Sequence, residues 1–172
     1  MIRSFNGKTP KIHPSAFISE AAYIVGDVEI GEYTSVWPGA VIRADTGRIV
    51  IGSKVIIEDN CVVHSPTPPD KTMYIGDMVN IGHGAVVHSA RIGHNVLIGM
   101  KAVLLHDSEI GNYCLIGAAC LVNEGMKIPD NSFVVGVPAK IKGPVPKKLM
   151  PWLEEIIDEY AEFAQQYKKE GL

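Results

Sequence analysis

A chain of 172 residues with a net charge of −3 is long enough to bury one core and offers no electrostatic footprint for nucleic acid or an anionic membrane. No apolar run approaches the ~18 residues of a membrane span, and the start MIRSFNGK lacks a signal-peptide core, so a cytoplasmic chain with no membrane partner is expected. Cys61, Cys114 and Cys120 make an odd number of cysteines and read as free thiols filling the core rather than as a disulfide framework.

From Ile12 an Ile, Leu or Val recurs every six residues: Ile18, Ile24, Ile30, Val36 and Ile42. Three extra residues, in a loop around Ala44 to Arg48, precede Ile51, Ile57 and Val63. An insertion within Ser65 to Thr72 precedes Ile75, Ile81 and Val87, and from Ile92 to Val134 the ruler is unbroken. Two positions before each ruler residue lies a small or branched one, such as Ala16, Thr34, Cys61, Ala85 or Cys120. Residues two apart share one face of a strand, so each hexad supplies one large and one small inward side chain. A helix needs a period near 3.6, which this spacing does not fit. Glycine follows the ruler at Gly31, Gly52, Gly76, Gly93 and Gly111, a placement that suits tight corners. Its recurrence at every third hexad implies three strands per coil and about eighteen residues per turn. The expected fold class is therefore all-β, a parallel β-helix of hexapeptide repeats. Spacing does not give its hand.

From Pro144 the period changes. Leu149, Trp152, Leu153, Ile156, Ile157, Tyr160, Phe163 and Tyr167 follow at three- and four-residue intervals, the mark of an amphipathic α-helix with Pro151 in its first turn. The expected organisation is a β-helix domain over residues 1–143 and a segment 144–172 whose helix covers the solenoid wall, in its own chain or a neighbour's.

Stacking the coils places chemistry. On the third face the residue after the ruler reads Val25, Arg43, His64, His88, Leu105 and Asn123, so His64 and His88 are vertical neighbours about 4.8 Å apart and able to close on one cation. His83, two residues past Ile81, falls at a corner pointing away from that column, where it can complete a site on a neighbouring subunit. Three imidazoles without cysteine are the ligand set of a catalytic zinc-type site. His13, His94 and His106 fall outside the column and are expected to be solvated. The residue before the ruler on the third face is Tyr23, Val41, Val62, Val86, Val103 and Leu121, an apolar ridge. The second face is mixed: Ser35, Ile56, Asn80, Leu97, Leu115 and Phe133. Burial of both faces against other copies makes a cyclic trimer natural.

The segments VIRAD (Val41 to Asp45), IEDNCVVH (Ile57 to His64), IGHGAVVH (Ile81 to His88) and VVGVPAK resemble the γ-class carbonic anhydrases, over about residues 10 to 142. The resemblance implies a left-handed β-helix and a homotrimer with a metal at each subunit interface. His64 and His88 would come from one chain and His83 from the next. Zn2+ is the usual metal, with Fe2+ or Co2+ as alternatives that imidazoles do not discriminate. It also implies reversible hydration of carbon dioxide to bicarbonate by a metal-bound hydroxide, a carbon–oxygen lyase activity. Arg43 and Asp45 match a pair that bridges subunits, and Asp59 matches an acidic residue near the site.

Five features depart from the family pattern. Glu58 replaces a glutamine that contacts the metal-bound water, and is expected either to accept that water's proton or to be a solvated strand carboxylate. Thr46 replaces a glutamate and Ile56 an asparagine, and the short SPTPPDKT replaces an acidic proton-shuttle loop. A family tyrosine corresponds to Phe133. GRIV and EDNCVVH also resemble relatives from phenylacetate and carnitine operons, which leaves acyl-CoA thioester hydrolysis, or an accessory role beside CoA enzymes, as an alternative. A metal-free hexapeptide acyltransferase and a non-catalytic assembly subunit are the others.

Overall fold

The ruler residues form the interior. In the computed structural model, which describes residues 1–66, 71–88 and 90–172, every ruler residue from Ile24 to Val134 is no more than 3% exposed. The small residues two positions earlier fill the spaces between them. Strands such as Asn80–Ile81, Leu97–Ile98 and Leu115–Ile116 are too short to be stable alone, and each pairs in parallel with the coil before and the coil after. About seven coils stack in this way and end in one α-helix. Cys61, Cys114 and Cys120 are free and buried at inward positions, and burial pushes the Cys61 thiol up to about 11.

The second-face strands make a sheet of eight, while the other two faces merge into a sheet of twelve. They merge because Tyr23–Ile30 and Val41–Ile51 run through a corner unbroken. This corrects the loop expected around residues 44–48. The extra residues are absorbed as a register shift between Gly26 and Val28, where Gly26 adopts φ +89° and a Cβ would lie 2.0 Å from the Ala44 carbonyl oxygen. The second insertion falls largely on residues 67–70, outside the described residues.

The glycine column serves a different purpose from the one its position suggests. The left-handed residue of each corner comes three positions after the ruler, and ten of these, from Tyr33 to Asn131, are not glycine. The column glycines instead lie where consecutive coils touch: a Cβ on Gly76 would sit 2.5 Å from the Gly93 oxygen, and one on Gly31 2.5 Å from the Gly52 oxygen. They are small because the backbones stack, not because the corner needs positive φ.

After the last coil the chain turns back in a strand, Lys140–Pro144, antiparallel to Ser132–Val135, which covers that end of the second-face sheet. Helix α1 (Pro151–Glu170) then crosses to the second face near the start of the same chain, with Pro151 at its first position. Leu153, Ile157 and Ala164 are buried, and Ile157 and Ala164 pack with Phe17, Trp37 and Ile56. Trp37 meets Tyr160 and Tyr167 edge-on at 5.6 and 5.1 Å. Part of the second face expected to bury against another subunit is thus covered by the chain's own helix. Among the described residues no helix is long and apolar enough to cross a membrane.

Two glycine variants separate the two roles. Gly76→Ala should cost about 2–3 kcal/mol through overpacking between coils. Gly125→Ala, where φ is +67° and nothing lies within 4 Å, should cost only about 1 kcal/mol. Chemical denaturation of the two variants beside the parent protein checks the order.

Candidate metal centre

Parallel pairing carries one side-chain position through successive coils. Val25 lies opposite Arg43, Arg43 opposite His64, and His64 opposite His88. The two imidazoles stack with 4.8 Å between ring centres and 12° between planes, the spacing of neighbouring strands. Asp45 meets His64 Nε2 at 3.2 Å through Oδ1 and takes a hydrogen bond from Arg43 on Oδ2. Burial alone would raise the Asp45 carboxyl, but its bonds to His64 and Arg43 outweigh burial and hold it below the usual range. His88 is also lowered: burial disfavours its cation, and His106, His64 and Arg43 add repulsion. A neutral imidazole is the form that binds a metal.

The placing of His106 corrects the expectation that the remaining histidines are solvated. Its ring lies 4.1 Å from that of His88, tilted by 59°. Counting equivalent positions up a column finds vertical neighbours and misses this diagonal one, which reaches back from the following corner. His13 and His94 are exposed and lie beside Glu32 and Asp77.

His83 stands in a second cluster. Its ring is half-exposed, with Nδ1 3.0 Å from Asp59 and Nε2 3.1 Å from Glu58. Its backbone N–H donates to Glu58 Oε2 at 2.8 Å. Among the described residues no group of three His, Cys, Asp or Glu within the chain is disposed to hold a metal. The structure brings His64, His88, Arg43 and Asp45 together, and His83, Glu58 and Asp59 together, as two separate groups.

Glu58 is 5% exposed, which removes the reading of a solvated strand carboxylate. A buried carboxylate needs partners, and it has the His83 amide and ring and the hydroxyl of Tyr160 on α1. Burial, together with the charge and hydrogen bond of Glu58, pushes Tyr160 up to about 12, so its phenol remains a donor through the ordinary pH range. Tyr160 escaped the sequence reading because it sits on a helix with no ruler to index it. Phe133 lies opposite Leu115 at the far end of the second face, whereas the tyrosine that reaches this cluster is Tyr160. Of the other departures, Ile56 is buried with Ile157 under α1, and the Thr46 hydroxyl shares a 2.9 Å hydrogen bond with Ser65.

A solenoid of hexads carrying outward histidines defines a hexapeptide-repeat protein. The bacterial transferase hexapeptide (six repeats) family model matches residues 9–44 and 89–124. A carbonic anhydrase from Geobacillus kaustophilus is 44% identical over 98% of this chain and 91% of its own length. The carnitine operon protein CaiE of Escherichia coli K12 is 31% identical over 91% of this chain and 79% of its own. A Bacillus cereus crystal structure described as that of a candidate acetyltransferase superposes with a TM-score of 0.93 at 38% identity, covering 98% of this chain and 96% of the other. The chain belongs to the γ-class carbonic anhydrase-like family of hexapeptide-repeat, left-handed β-helix proteins.

Replacing His106 by glutamine removes its repulsion of the His88 cation. The His88 cation should then form at a higher pH than in the parent. Histidine ring shifts followed by NMR across a pH titration of metal-free protein check the direction.

Proposed function

We propose that this protein is a metal-dependent carbonic anhydrase of the γ type, a homotrimer that interconverts carbon dioxide and bicarbonate. One observation carries the reading: His64 and His88 stack in register beside Asp45, in a chain 44% identical to a carbonic anhydrase over nearly its full length.

The donor set fits a zinc-type cation. Two neutral imidazoles on adjacent strands can converge on one ion, and a carboxylate holding the far nitrogen of a ligand histidine fixes its tautomer and ring plane. Asp45 is that carboxylate for His64. His83 supplies the third donor from a neighbouring subunit, since its own chain keeps it in the other cluster. Asp59 at Nδ1 orients the His83 ring and leaves the Nε2 side, where Glu58 lies, facing the centre. Imidazole donors suit Zn2+, the usual metal of the family, and equally admit Fe2+ or Co2+. When bound, such a cation lowers the pKa of a coordinated water to about 7.

The chain's own groups handle the proton and the substrate. Glu58, buried and held by the His83 amide and the Tyr160 hydroxyl, stands where it can accept the water's proton. Asp59, whose side chain is 41% exposed and meets the other nitrogen of the same His83 ring, can pass the proton on to solvent. Arg43 neutralises Asp45 and keeps it an acceptor for His64. The trimer is supported by the ridge Tyr23, Val41, Val62, Val86, Val103 and Leu121. These six are paired in one column and none is buried in the single chain. A second reading, acyl-CoA thioester chemistry at the same residues, draws on the likeness to the carnitine operon protein, and acyl-CoA turnover without carbon dioxide hydration would favour it.

Purified protein should carry about one metal per chain and hydrate carbon dioxide in stopped-flow assays as its Zn2+ or Fe2+ form. Loss of an outer-shell partner costs up to about 100-fold, so His64→Ala and His83→Ala should each fall at least that far. The two inactive variants, mixed in equal amounts and reassembled, should recover about a quarter of the sites, because three in four trimers are mixed and each of those rebuilds one of its three interfaces. No recovery on mixing would show that one chain supplies all three ligands.

A further inference from the structure

The second face holds a feature that hydration of carbon dioxide does not need. Between its later coils and α1 lies a cleft of about 450 Å³, within the range of sites that take drug-sized ligands. Leu97, Leu115, Trp152 and Ile156 line its body, and Glu58 and His83 stand at its edge. Trp152 is 53% exposed at its margin. Carbon dioxide has three heavy atoms and fills almost none of this space.

The second observation is Asn80, which also borders the cleft. Asn80 belongs to the outward column of the second face, between Ile56 and Leu97, and is 3% exposed. Among the described residues its Oδ1 is the one buried side-chain oxygen or nitrogen with no hydrogen-bond partner. An apolar residue would suit a site between Ile56 and Leu97 better than an amide whose acceptor is left unmade. A buried acceptor beside an apolar cleft is satisfied when whatever enters the cleft brings a donor.

We propose that the cleft between the second face and α1 is a binding site for a small amphiphile. The ligand is an alicyclic, aromatic or medium-chain apolar group bearing one hydroxyl or amide N–H, which donates to Asn80 Oδ1 while the apolar part packs on Leu97, Leu115 and Trp152. Because Glu58 and His83 border the same space, the bound molecule reaches the edge of the candidate metal centre. The site depends on neither functional reading above, since none of the residues that would grip the ligand is a proposed metal ligand or proton carrier.

Cyclohexanol and methoxycyclohexane make a matched pair of probes, alike in their ring and differing in the donor. Titrated into the assembled, metal-loaded protein and followed by tryptophan fluorescence, cyclohexanol should bind saturably and about two- to tenfold more tightly than the ether, the range a single neutral hydrogen bond supplies. Asn80→Leu should erase that preference, and Leu115→Trp, which fills the cleft, should abolish saturable binding of both. Equal affinities in the parent protein, binding that survives Leu115→Trp, or no saturable binding because assembly itself closes the cleft would each overturn the proposal. If Asn80→Leu does not fold, the probe pair and Leu115→Trp still decide it.

Discussion

Everything in this molecule hangs on the parallel pairing of one coil with the next. Strands of two residues have no independent stability, and the coil closes only because each backbone group finds its partner on the turn above or below. The inward Ile, Leu and Val of each hexad hold that register, since a slip by one residue would turn the large inward side chains out to solvent. Burial of these side chains, at about 25 cal/mol per Å², is the main driving force for stacking. Stacking in turn forces the close backbone contacts that only glycine tolerates at Gly31 and Gly76.

The same constraint builds the candidate site. Once coils are locked in register, an outward position becomes a ladder with rungs one strand apart, and Arg43, His64 and His88 occupy three of its rungs. No loop has to be ordered to bring the imidazoles together. The solenoid pre-organises them on a rigid sheet, and the Asp45 carboxylate completes the arrangement from a strand that runs on through the corner. A three-sided prism, however, sends its corners outward. His83 on one corner and His88 on the next face therefore belong to different clusters of one chain, which is why the proposed site requires more than one copy.

Helix α1 is the element that departs from repetition, and it changes the meaning of the second face. It covers the early coils through Phe17, Trp37 and Ile56, brings Tyr160 to Glu58, and leaves a cleft over Leu97 and Leu115. Ile56, one of the departures from the family pattern, is a packing residue under this helix. Replacing a polar site residue with an apolar one therefore suits the covering helix and tells little about the chemistry.

The hexad spacing alone settled the solenoid, its three strands per coil, the inward identities and the rungs shared by Arg43, His64 and His88. These follow from strand geometry and a strict period, both local properties that a linear chain displays. What needed the tertiary structure were contacts between residues with no common period. Among these are the ring of His106 against His88, the burial of Glu58 under Tyr160, and the strand that replaces a loop at residues 44–48. The role of the glycine column also waited on the fold, because a glycine looks the same in sequence whether it relieves a torsion angle or a close approach. A column index predicts neighbours along the axis. Diagonal neighbours, and a helix laid across the wall, are set by side-chain reach and by packing between distant segments.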